Sequence, residues 1–151
     1  MADDIKLVYL VHSDSDVLLS LYDALSGAGF QVAASSNAFD GLSFLARAHP
    51  AAVLCRWDMP EIDGKEFIER VKRVSPETRI LMCFRKWDER VHEHVLKLGG
   101  NGLIREPMSP STVIRAISRM ISPGVPYESL EAPASFDSAS KEEWPNGKPI
   151  A

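Results

Sequence analysis

The chain has 151 residues, a formal net charge of −4, and apolar and charged fractions of 45% and 25%. This length predicts one soluble domain with a substantial core, and the mild negative charge argues against broad attraction to nucleic acid or membrane surfaces. The acidic start MADDIK does not read as a secretory leader, and no apolar run approaches the roughly 20 residues of a membrane span.

Short apolar runs alternate along the chain with longer helical patterns. The predicted strands are Leu7–Val11, Gln31–Ala34, Ala52–Arg56, Arg79–Phe84 and Gly102–Ile104. They lack clean polar alternation, as expected when both faces of a sheet are covered. Between them the spacing predicts helices. Asp16–Ala28 carries Leu18, Leu21, Tyr22 and Leu25, with Gly29 as its stop. Ala38–Ala48 and Gly64–Val74 end shortly before Pro50 and Pro76, Glu89–Leu98 is closed by Gly99-Gly100, and Ser111–Ile121 has Pro110 near its first turn. His92 and His94, two apart on the fourth helix, face different directions and are not expected to chelate one ion.

Five strand–helix repeats predict an α/β domain, a doubly wound parallel sheet of five strands, because parallel neighbours need crossover connections. Functional residues in such folds gather at the carboxyl ends of the strands. Here those ends are His12-Ser13-Asp14, Arg56-Trp57-Asp58, Phe84-Arg85-Lys86 and Arg105-Glu106-Pro107. Cys55 and Cys83 lie inside strand runs and are expected to be buried thiols in a reducing cytoplasm, with neither a disulfide nor a metal between them. After Ile121 the character changes. Residues 122–151 hold half of the ten prolines and five acids against Lys141 and Lys148, which predicts a disordered acidic tail appended to a domain of residues 1–121.

The segments DMPEIDG after the third strand, LKLGGNGLI near the end, Pro107 after the last strand and HSDSD after the first resemble the receiver domain of bacterial two-component response regulators. The resemblance spans about Ile5 to Ile121. It implies the flavodoxin-like strand order 2-1-3-4-5 and a phosphorylation switch. In that family an aspartate ending the third strand accepts a phosphoryl group from a histidine kinase. Two acids after the first strand hold Mg2+, and a hydroxyl after the fourth and a lysine after the fifth bind the phosphoryl oxygens. These roles follow from charge, since phosphoryl transfer is mostly positioning and neutralisation of oxygen charge.

Carried over by position, every one of these residues is replaced. The acceptor, four residues before Pro60, falls on Arg56; the acidic pair falls on His12 and Ser13; the hydroxyl falls on Phe84; and the lysine, next to Pro107, falls on Glu106. The family's aromatic switch position falls on Leu103. Arg56 stays protonated and is no nucleophile. Arg56 and Glu106 are therefore expected to form a charge-reversed salt bridge, and Phe84 with Leu103 to fix one conformation in place of two.

The expected function is a phosphorylation-independent pseudo-receiver: not an enzyme, cytoplasmic, without cofactor or metal, binding signalling proteins in a two-component-type pathway. Its surface would be the fourth-helix, fifth-strand, fifth-helix face or the tail, with Trp57, Trp87, Arg105, Arg115 and Arg119 as candidate contacts. No nucleic-acid or membrane partner is expected, and a homodimer stays open. Two alternatives stand beside it. One is a conventional receiver using a displaced acid, Asp58 or Asp14. The other is an anion or metal sensor in the strand-end pocket, with Arg56 as anion anchor or His12, Asp14 and Asp16 around an ion. Asp14 and Ser13 are more simply helix N-caps.

Overall fold

A computed structural model describes residues 5–86 and 89–122. Five strands alternate with five helices: β1 (Leu7–Val11), α1 (Ser15–Gly27), β2 (Gln31–Ser35), α2 (Ala38–Ala48), β3 (Ala52–Arg56), α3 (Gly64–Val74), β4 (Arg79–Phe84), α4 (Glu89–Leu98), β5 (Gly102–Arg105) and α5 (Pro110–Met120). The strands form one sheet in the order β2-β1-β3-β4-β5, and every pairing is parallel. This is the doubly wound arrangement the sequence predicts. The tail and Trp87 lie outside the described residues.

The period of two along each strand sorts the core into two layers. Tyr9, Val11, Val53, Cys55, Ile80, Met82, Phe84 and Leu103 pack against Leu42 and Leu45 of α2, Phe67 and Val71 of α3, and Val95 of α4. Val8, Leu10, Ala52, Leu54, Leu81, Cys83 and Ile104 pack against Leu21 and Leu25 of α1 and Val113, Ile117 and Met120 of α5. Both faces are covered, which is why the strands read as continuous apolar runs. Cys55 and Cys83 are both free and buried, one in each layer, so the sheet separates them.

Side-chain caps set the helix starts and shift two predicted boundaries. Asp14 caps α1, its Oδ1 accepting from Asp16 N at 2.9 Å, so the helix begins at Ser15 rather than Asp16. Ser109 caps α5, which starts at Pro110 and ends one residue before the predicted Ile121. Strands β2 and β5 each run one residue further than predicted, to Ser35 and Arg105. At the end of α4, Gly99 takes a φ of 104°, and Gly100 N donates to Val95 O at 2.7 Å. A left-handed residue closing a helix favours glycine because a Cβ would be strained there.

The strand order reverses direction between β1 and β3, and a doubly wound sheet opens its crevice at such a switch point. The residues delivered there are His12-Ser13-Asp14 from β1 and Arg56 from β3.

Candidate functional site

Strand parity decides which side chains meet. Leu10, Leu54, Cys83 and Ile104 face the α1/α5 layer. Two residues on from Leu10, Leu54 and Ile104 stand His12, Arg56 and Glu106. Three polar groups are thereby aimed at the same side of the sheet's carboxyl edge, next to the Cys83 thiol.

At their centre is Glu106, whose side chain is only 11% exposed. Its Oε2 accepts from His12 Nε2 at 2.7 Å, and His12 is itself 1% exposed. The other imidazole nitrogen, Nδ1, accepts from the Asp14 backbone N–H at 3.0 Å. That bond fixes the tautomer: the proton sits on Nε2, where it donates to Glu106. Burial pushes the Glu106 carboxyl up, but donors on His12 and Cys83 and the nearby Arg56 charge outweigh it and hold the group below the ordinary glutamate range. The Cys83 thiol is pushed well up by burial and by the Glu106 charge, so it is a thiol and not a thiolate. Arg85 Nε lies 3.8 Å from Glu106 Oε1, but Arg85 is 68% exposed, so this pair adds about 0–1 kcal/mol.

The expected Arg56–Glu106 salt bridge is not made. Arg56 instead donates from NH1 to the Ser13 hydroxyl at 2.9 Å, and no carboxylate among the described residues lies within ion-pair distance of it. The pairing is crossed: each reversed charge is held by a residue from the end of β1. Depth explains the choice. Arg56 is half-exposed and its NH1 bonds Ser13 at the surface while its Nε is buried, whereas the sunken Glu106 carboxylate needs a donor at its own depth. A neutral imidazole supplies that donor without burying a second full charge.

The remaining predicted residues fall as follows. Phe84 and Leu103 are both buried in the α2/α3/α4 layer, and the register pairs Leu103 with Met82, two residues from Phe84 on the neighbouring strand. Asp58 is exposed in the β3–α3 loop, in an antiparallel bridge to Asp63. Trp57 is half-buried and lies across Gly64 at the start of α3, so closely that a Cβ there would collide with the ring. It is a packing residue more than an exposed contact. Arg115 and Arg119 are exposed on α5, and Arg105 is half-buried.

Neither of two metals suits this arrangement. Mg2+ wants hard oxygen ligands in octahedral array. The first-strand acid positions hold His12 and Ser13, a guanidinium stands at the acceptor position, Asp14 Oδ1 caps α1, and Glu106 is taken by His12. The donor set does not fit the ion that the fold family implies. His12, Cys83 and Glu106 have ligand atoms within 4.8 Å of one another, a plausible set by element for zinc. A metal-ligating histidine, however, donates its other ring N–H outward. Here that nitrogen accepts a backbone N–H, so the shell around His12 is the reverse of a metal ligand's.

Of the expected strand-end residues, Glu106 pairs with His12 and Arg56 with Ser13, not Arg56 with Glu106 as the formal charges suggested. The missing signal was parity: counting by two from the buried residues of each strand places His12, Cys83 and Glu106 together. His12–Glu106 was the nearer match in depth.

The parallel five-stranded sheet and its strand-end crevice define a receiver-type α/β domain. Residues 8–118 match the response regulator receiver domain, and the chain belongs to that family. It is 24% identical over 116 residues to the chemotaxis protein CheY of Thermotoga maritima, covering 76% of this chain and 97% of that protein. It is 23% identical over 115 residues to the chemotaxis protein CheY of Bacillus subtilis, covering 76% and 96%. Among solved structures, a CheY-like receiver domain protein from Methanospirillum hungatei superposes with a TM-score of 0.74 at 20% identity, covering 78% of this chain and 94% of that one. The chemotaxis response regulator CheY4 of Vibrio cholerae gives 0.72 at 20% identity, covering 77% and 98%.

Proposed function

We propose that this receiver domain acts without phosphorylation, as a pseudo-receiver that binds signalling proteins in a two-component-type pathway. The crossed pairing at the strand ends carries the reading. His12 occupies Glu106 and Ser13 engages Arg56, so the positions that carry the family's acceptor and lysine hold a guanidinium and an engaged carboxylate, and neither offers a nucleophile for phosphoryl transfer. Every charge-handling role of the family's reaction is replaced by a residue of different chemistry.

Phe84 and Leu103 support the same conclusion. Switching in the family moves an aromatic at the fifth strand, whereas Leu103 here is fully buried beside Phe84. With the hydroxyl position filled by a ring, the domain holds one conformation. Its partner surface is the α4–β5–α5 face, where Arg105, Arg115 and Arg119 sit, with the tail as a second candidate. Among the described residues no helix is long and apolar enough to cross a membrane. A cytoplasmic, non-enzymatic role fits these features.

Incubation with acetyl phosphate and Mg2+, followed by intact-mass measurement, tests the reading. The expected result is no mass gain. A gain of one phosphoryl group, abolished by Asp58→Asn or Asp14→Asn, would establish a displaced acceptor instead.

A further inference from the structure

The pocket at the switch point has a volume of about 340 Å3 and is lined by His12, Asp14, Arg56, Arg85, Glu106 and Met108, among others. Its charges are unequally engaged. Glu106 is engaged below the surface, and the exposed Asp14 uses one carboxylate oxygen as the cap of α1. Asp14 Oδ1 accepts from Asp16 N and Val17 N, and Glu106 accepts from His12 through Oε2 and faces Arg85 through Oε1. The two arginines are less fully engaged. Among the described residues Arg56 has only the neutral Ser13 hydroxyl as a hydrogen-bond partner, and its buried Nε has none. Arg85 is largely in solvent.

A buried guanidinium N–H without an acceptor is costly, and native structures rarely leave one. The missing partner must be an acceptor, and one carrying negative charge would satisfy two arginines together. We infer that this pocket binds a small oxyanion, a phosphate or a carboxylate, gripped by Arg56 and closed over by Arg85. Two parallel N–H···O bonds from a guanidinium fork match either group. The anion would be held non-covalently where the family carries a covalent phosphoryl group. A ligand of this kind would give a receiver without phosphorylation a chemical input, and the inference stands independently of which partner the domain binds.

Titration of the full chain with inorganic phosphate and separately with acetate, at constant ionic strength, tests it by calorimetry and by amide NMR shifts. Saturable binding of one of them is expected, with shifts centred on Ser13, Arg56, Arg85 and Glu106; the tighter anion identifies the class. Arg56→Gln should weaken binding about tenfold or more, the usual scale for losing hydrogen bonds from a charged donor. The solvent-exposed Arg85→Gln, which leaves the core untouched, should weaken it by a smaller factor, and Arg119→Gln on α5 should have no effect. Non-saturable or scattered shifts with both anions, or unchanged affinity in a folded Arg85→Gln and Arg56→Gln, would overturn the inference. Intact mass on the same samples reports covalent phosphorylation separately, so the two readings fail by different observations.

Discussion

Glu106 shows how one substitution reorganises a site. A lysine there would extend a cation towards phosphoryl oxygens; a carboxylate at the same depth has to find a donor, and His12 is the one at hand. Because its folded pKa lies below the ordinary value, Glu106 contributes stability above the unfolded glutamate pKa of about 4.3, and that contribution is lost as pH falls through the lower folded value. Glu106→Gln is therefore expected to remove part of the acid limb below about pH 4.3 in urea denaturation profiles. At neutral pH it should lower stability by about 1–3 kcal/mol, since His12 Nε2–H loses a charged acceptor. An unchanged acid limb would mean that Glu106 titrates as it does in the unfolded chain. At this scale the positions were legible from fixed spacing to Pro60 and Pro107, whereas the partners were not. Opposite formal charges suggested Arg56 with Glu106, but burial, which only the folded chain reveals, favoured a neutral donor over a second ion.

Elements were more legible than contacts. Three of the five strands and three of the five helices have the bounds their apolar patterns predict; two strands run one residue further, and α1 and α5 are each shifted by one residue at both ends. The differences arise from caps and ladder ends, where one side-chain hydrogen bond outweighs periodicity, as at Asp14. Two packing consequences follow. Phe84 is 3% exposed between β4 and the α2/α3/α4 layer, so Phe84→Ala should cost about 3–5 kcal/mol in chemical denaturation. Restoring the family's small hydroxyl alone is therefore expected to destabilise the fold rather than revive a switch. Gly64→Ala should drive Trp57 from its seat on α3, seen as a change in tryptophan emission and a loss of about 1–3 kcal/mol from overpacking. Wild-type emission in that variant would show that the indole does not rest there.

For the molecule as a whole, the match over residues 8–118 places the chain in the receiver family, and its strand-end crevice holds the His12–Glu106 and Ser13–Arg56 pairs. Residues 122–151 carry no apolar period from which a core could be built. A chain ending at Ser122 should therefore unfold cooperatively with a midpoint within about 2 °C of the full-length protein, a shift worth well under 1 kcal/mol; a larger loss would mean that the tail packs on the domain. The central claim is that the strand-end site neither holds Mg2+ nor takes a phosphoryl group. It is tested most directly by amide NMR spectra recorded in beryllofluoride with and without Mg2+. The two spectra should superimpose at His12–Asp14, Arg56, Leu103 and Glu106. Mg2+-dependent shifts concentrated at the ends of β1 and β3 and spreading to β5 would contradict it, because they would reveal a working phosphorylation site.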